Sequence, residues 1–140
     1  MLVHIYKANN SDQLIQHEHI IFISPFQIRK ILISLHLYID CIFIYPKDFK
    51  QLLVILYYDE EIQKRESGCY ILLNNKTENG YKLAFTNFKK IVTLDDTHQL
   101  IPISYCTDFE KALCNALEDI FPNIRRLGCY FHYSYNLKKN

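Results

Sequence analysis

Two aspartates stand in positions where a carboxylate needs explaining. Asp40 lies inside the apolar run Leu37–Tyr57, LYIDCIFIYPKDFKQLLVILY, and Asp108 sits in Thr107-Asp108-Phe109-Glu110, ahead of an apolar helical stripe. A carboxylate within so apolar a run is costly unless it is paired, protonated or bound to a metal. On this stretch alone, the plainer reading puts Asp40 on the wet face of a strand or at its end. Asp108 also has a plain reading, as an acid in the first turn of a helix, where the helix dipole favours it by ~0.3–1 kcal/mol. Taken together, the two suggest a two-carboxylate metal site. Mg²⁺ and Mn²⁺ take oxygen ligands, mostly carboxylates and water. A pair of such ions flanking the scissile phosphate is what phosphoryl transfer on a nucleic-acid backbone requires.

A second constellation is Gly128-Cys129-Tyr130-Phe131-His132-Tyr133. A structural zinc site needs four ligands, and no second pair lies at useful spacing from Cys129 and His132. The expectation is a buried cysteine and a histidine at a strand end, without a closed zinc site.

Composition narrows the classes. The chain has 140 residues, 49% of them apolar, and a net charge of +1. That is one domain able to bury a core. It offers no strong global field for nucleic acid. No apolar run reaches the ~18–20 residues of a membrane span, and no targeting signal is evident. The five cysteines are scattered and four have apolar neighbours, which predicts buried free thiols in a reducing compartment.

The elements that must position these residues follow from patterning. Residues 1–36 read as a lead-in: a short strand at Leu2–Tyr6, a polar loop over Lys7–Glu18, an apolar run at Ile20–Ile23 and a helix. Ser24, Pro25 and Gln27 predict the helix start as a capping box with proline at the first helical position. Residues 37–140 read as the core. The run around Asp40 forms two strands about a Pro46-Lys47-Asp48 turn, Asp59–Ser67 is a loop and Cys69–Leu73 is a third strand. A helix from Tyr81, a strand at Ile101–Cys106, a helix after Thr107, a strand at Leu127–Phe131 and the start of a helix at Tyr133–Lys139 complete the order. Thr107 and Glu110 predict a second capping box.

The order strand-strand-strand-helix-strand-helix-strand predicts an α/β (α+β) fold with a mixed sheet. It resembles the ribonuclease H-like fold, which implies metal-binding carboxylates on the first and fourth strands. Asp40 is on the first predicted core strand, and Asp108 directly follows the fourth.

Three blocks make the resemblance more specific. The first is Tyr38-Ile39-Asp40-Cys41-Ile42-Phe43 with Pro46, Phe49, Gln51 and Leu52. The second is Cys69-Tyr70-Ile71-Leu72-Leu73 with Lys76-Thr77 and Tyr81. The third is Thr107-Asp108-Phe109-Glu110-Lys111-Ala112, Phe121-Pro122 and Gly128-Cys129-Tyr130-Phe131-His132. Together they resemble the core of the Mutator-like element (MULE) transposases, DDE enzymes of DNA transposition. The resemblance implies that Asp40 and Asp108 are the first and second metal-binding aspartates, and that Cys129 and His132 are the family's Cys-x-x-His motif. It implies Mg²⁺ or Mn²⁺ as cofactor, DNA as partner and a nuclear location, with no membrane association.

Two departures stand out. Cys41 and Ile42 replace the family's usual glycine and threonine. The family's third acid lies well beyond the Cys-x-x-His motif, whereas this sequence ends at Asn140. The expectation is therefore a core truncated before that acid, its closing helix missing, inactive alone and prone to self-association. A non-catalytic transposase-derived regulator and a translated transposon remnant are the alternatives.

Overall fold

The computed structural model describes residues 2–10, 15–43, 49–100, 102, 104–107 and 110–128. In chain order the elements are β1 (Leu2–Asn10), β2 (Ile15–Ile23), α1 (Pro25–Ile33), β3 (His36–Phe43), β4 (Gln51–Asp59), β5 (Lys64–Leu73), α2 (Glu78–Thr93), β6 (Ser104–Thr107), α3 (Lys111–Ile120) and β7 (Arg125–Gly128). The strands form a single sheet in the order β1-β2-β5-β4-β3-β6-β7. β3 pairs antiparallel with β4 and parallel with β6, and β6 pairs parallel with β7. From β3 onward the chain runs in the order its patterning predicts, giving a mixed sheet and an α+β fold. The first core strand lies beside the fourth, so the ends of β3 and β6 share one edge of the molecule.

Alternation along the strands divides the sheet into two faces. Leu37 and Ile39 of β3, Leu53, Ile55 and Tyr57 of β4, and Cys69, Ile71 and Leu73 of β5 enter one core with Ile21 and Ile23 of β2. The same core takes Ile31 of α1, Tyr81, Ala84, Phe85, Phe88 and Val92 of α2, and Leu113, Ala116 and Leu117 of α3. All three helices therefore cover this face. The opposite face carries Tyr38, Asp40 and Ile42, which pair with Leu56, Val54 and Leu52. Among the described residues no helix covers it.

The N-terminal stretch departs from expectation. Lys7–Glu18 is polar and reads as a loop, yet all of its described residues belong to β1 or β2. Tertiary pairing outweighs composition here. The two strands pair along their length, and β2 docks on β5 through His19–Phe22. The Asp59–Ser67 loop is likewise shorter than predicted, because β5 resumes at Lys64.

The two predicted capping boxes fare differently. At α1 the Ser24 hydroxyl accepts from the Gln27 N–H at 3.2 Å, and the Gln27 side chain accepts from the Ser24 N–H at 2.8 Å. At α3 the predicted box is absent. Thr107 is the last, buried residue of β6, and the helix begins later with Glu110 at its N-cap, whose side chain caps nothing. The Pro46-Lys47-Asp48 turn and the Tyr133–Lys139 helix start lie outside the described residues.

Candidate functional site

Asp40 projects from the uncovered face of β3 and is exposed. Its Oδ1 accepts a hydrogen bond from the Cys41 N–H at 3.0 Å. Among the described residues it makes no ion pair. The wet-face reading of its carboxylate is the one observed. Beside it lies a pocket of about 190 Å³ lined by Tyr38, Ile39, Asp40, Leu56, Arg65 and Cys106. The Arg65 guanidinium stacks over the Tyr38 ring, 4.7 Å from its centroid.

Arg65 reaches this face because of a bulge. Val54 pairs with Tyr70, but further along β4 Ile55 pairs with Cys69 and Leu56 with Ser67, so Gly68 is the extra residue. One unpaired residue reverses the alternation of every side chain beyond it. Without it, Arg65 would share the helix-covered face. The polar composition of Asp59–Ser67 reads as a loop, which hides Arg65 in the sequence. The available signal was Gly68 inside a strand pattern, which marks a bulge or a close backbone approach.

Asp108, Cys129 and His132 lie outside the described residues. Asp40 is thus the one predicted site residue that can be placed. No grouping of three or more His, Cys, Asp or Glu side chains suited to a metal occurs among the described residues. The Asp40 carboxylate fits a hard divalent cation as a single donor: it is an accessible oxygen ligand, and further ligands would have to come from elsewhere.

The comparisons with known proteins bear on this geometry. The MULE transposase domain matches residues 36–136. That span is more than half of the chain. The chain belongs to the MULE transposase domain family. A search of curated proteins found no match. The MULE match begins at the first residue of β3, so β1, β2 and α1 precede it; β1 and β2 share the domain's sheet and α1 packs into its core through Ile31. Among the described residues no helix is long and apolar enough to cross a membrane.

Behind the MULE domain's open face, at the same end of β3, a buried polar chain joins three elements. The Tyr81 hydroxyl lies 2.7 Å from Gln51 Oε1 and 3.0 and 3.2 Å from the two Glu110 carboxylate oxygens. Gln51 opens β4, Tyr81 sits in the first turns of α2, and Glu110 is the N-cap of α3. Burial pushes the Tyr81 phenol far above its ordinary value; Cys41 and Glu110 push the same way, and Gln51 pulls back only in part. The phenol therefore stays protonated and remains a donor. Sequence reasoning named all three residues as parts of matching blocks, but not their meeting, because pairing across such separations leaves no local pattern.

Proposed function

We propose that Asp40 and Asp108 form the metal-binding pair of a transposase core that acts on DNA ends by metal-dependent phosphoryl transfer. One observation carries this reading. Asp40 is exposed on β3, two residues beyond Tyr38, and Tyr38 pairs in parallel with Cys106 of β6. Asp108 comes two residues after Cys106 in the sequence. The same register carried forward would set the two carboxylates side by side on the uncovered face.

Asp40 would hold the ion with an oxygen whose partner is fixed by the Cys41 N–H. When bound, Mg²⁺ or Mn²⁺ activates the attacking water or 3′-hydroxyl and stabilises the leaving oxygen. Arg65, in the same pocket, offers a planar guanidinium suited to a phosphate. With a net charge of +1 the chain has little general attraction for DNA, so such local cations carry the contact. The partner is DNA, and the place of action is the nucleus. Cys129 and His132 would be the family's Cys-x-x-His motif, two of the four ligands that a closed zinc site needs.

The test is Mn²⁺ titration of the parent chain, Asp40→Ala and Asp108→Ala, alongside nicking of supercoiled plasmid. The parent chain is expected to bind Mn²⁺, and each substitution is expected to weaken that binding. Mn²⁺ binding that survives both substitutions would remove the metal-site reading. Cleavage by the parent that both substitutions abolish would show that this chain carries the activity as well as the metal.

A further inference from the structure

Building on that metal-site reading, we infer that the Tyr81 hydroxyl is a positioning device for Asp108. It clamps the start of α3 to the start of β4 and so holds the connection on which Asp108 lies. Glu110 is the described residue nearest to Asp108 on its C-terminal side. Its carboxylate does not cap its own helix; it turns to Tyr81 instead. Tyr81 is fully buried and Gln51 almost so, at 0% and 2% exposure, so both need hydrogen-bond partners. A shift of the α3 start would break both Tyr81–Glu110 contacts and leave the buried phenol with Gln51 alone.

Proton accounting fixes the direction of the chain. A phenol has one proton to donate, and a carboxylate only accepts. One proton cannot serve both Glu110 and a Gln51 oxygen. Amide oxygen and nitrogen are nearly isosteric, so half a rotation of the Gln51 amide satisfies all three groups. Gln51 N–H then donates to Tyr81 Oη, and Tyr81 O–H donates to Glu110. A directed chain of this kind has one arrangement rather than several, which is what a metal ligand held from behind requires.

Each of the three blocks that resemble the family contributes one residue: Gln51 from the first, Tyr81 from the second and Glu110 from the third. The polar chain thus joins the segment after the Asp40 strand to the segment around Asp108.

Tyr81→Phe keeps the ring and removes the clamp. In the metal-free chain, hydrogen exchange of peptides covering Ser104–Lys111 should rise by about tenfold in Tyr81→Phe while the β4–β5 pairing stays protected. Mn²⁺ affinity should fall as well, because the segment carrying Asp108 must then be ordered on binding. Glu110→Gln, which keeps an acceptor for Tyr81, should retain the parent's protection and affinity, while Glu110→Ala should behave as Tyr81→Phe. Unchanged exchange at Ser104–Lys111 in both Tyr81→Phe and Glu110→Ala would overturn the inference whether or not metal binds. Affinity lost in Glu110→Gln but kept in Tyr81→Phe would also overturn it, because Glu110 would then be a ligand itself. If Asp40→Ala and Asp108→Ala leave Mn²⁺ binding intact, the metal-site reading fails, and the exchange result still decides the clamp.

Discussion

Tyr38 and Cys106 face each other across the parallel β3–β6 junction, in the row before the one that would bring Asp40 and Asp108 together. This pairing can be checked by cross-linking. Cα atoms on neighbouring strands fall within the ~4.4–6.8 Å that a disulfide spans. Tyr38→Cys should therefore cross-link to Cys106 under mild oxidation, detected by mass spectrometry of the linked peptides. Asp40→Cys combined with Asp108→Cys should cross-link as readily. If the first pair forms and the second does not, the register stops at Cys106 and the metal pair loses its geometric basis.

Ser24 and Thr107 look alike in sequence and should respond in opposite ways. Ser24 caps α1 through the Gln27 N–H, and Ser24→Ala should cost about 1 kcal/mol. The Thr107 hydroxyl is buried with no hydrogen-bond partner among the described residues. Replacing it by a methyl group of the same shape removes an unsatisfied polar atom, so Thr107→Val should be neutral or stabilising. Urea denaturation of the two variants separates them. A loss in Thr107→Val comparable to that of Ser24→Ala would mean that the hydroxyl has a partner.

These two residues also show what the sequence could and could not reveal. Ser24-Pro25-Phe26-Gln27 is a complete local instruction, and α1 starts where it says. Thr107 and Glu110 carry the same spacing, but Thr107 is held in β6 by the parallel ladder, and that pairing overrides the local cap. The element order from β3 to β7 was legible because hydrophobic periodicity is local. The Arg65–Tyr38 stack and the Gln51–Tyr81–Glu110 chain were not, since each joins separate elements. Asp40 sits on the boundary: its strand was legible, but which face it took depended on the sheet's one-sided helical cover.

Gly68 is the residue on which the placement of Arg65 depends. A Cβ there would come within 2.8 and 2.9 Å of the buried Ile31 side chain and 3.1 Å of the Ile55 carbonyl oxygen. Gly68→Ala should therefore destabilise by about 1–3 kcal/mol, as overpacking of a core does. Removing a methyl group opposite it, in Ile31→Val, should recover part of the loss in the double variant. Calorimetry of the single and double variants gives the coupling; strictly additive losses would place the strain elsewhere.

Glu78 should account for part of the acid sensitivity of the fold. Its carboxyl is held below the usual range first by the Lys82 ammonium, at 3.0 Å, and then by the Asn115 amide, at 3.4 Å. Glu78 also lies in the first turn of α2, where the helix dipole favours a negative charge. Asn115 belongs to α3, so this carboxylate ties the two helices together. A carboxyl whose value is depressed on folding stabilises the fold at pH above its unfolded value, about 4.3 for glutamate. That stabilisation is lost as pH falls through the lower folded value. Asp59 acts in the same direction: burial raises its carboxyl, but the Glu61 N–H and Lys30 outweigh it and leave it lowered. Glu78→Gln should thus melt at a lower temperature than the parent near neutrality, and the two curves should converge as the parent's carboxylate becomes protonated. Thermal melts across the acid range, with Asp59 intact in both chains, measure the convergence. Parallel acid limbs for parent and variant would show that Glu78 gains nothing from Lys82 and Asn115 on folding.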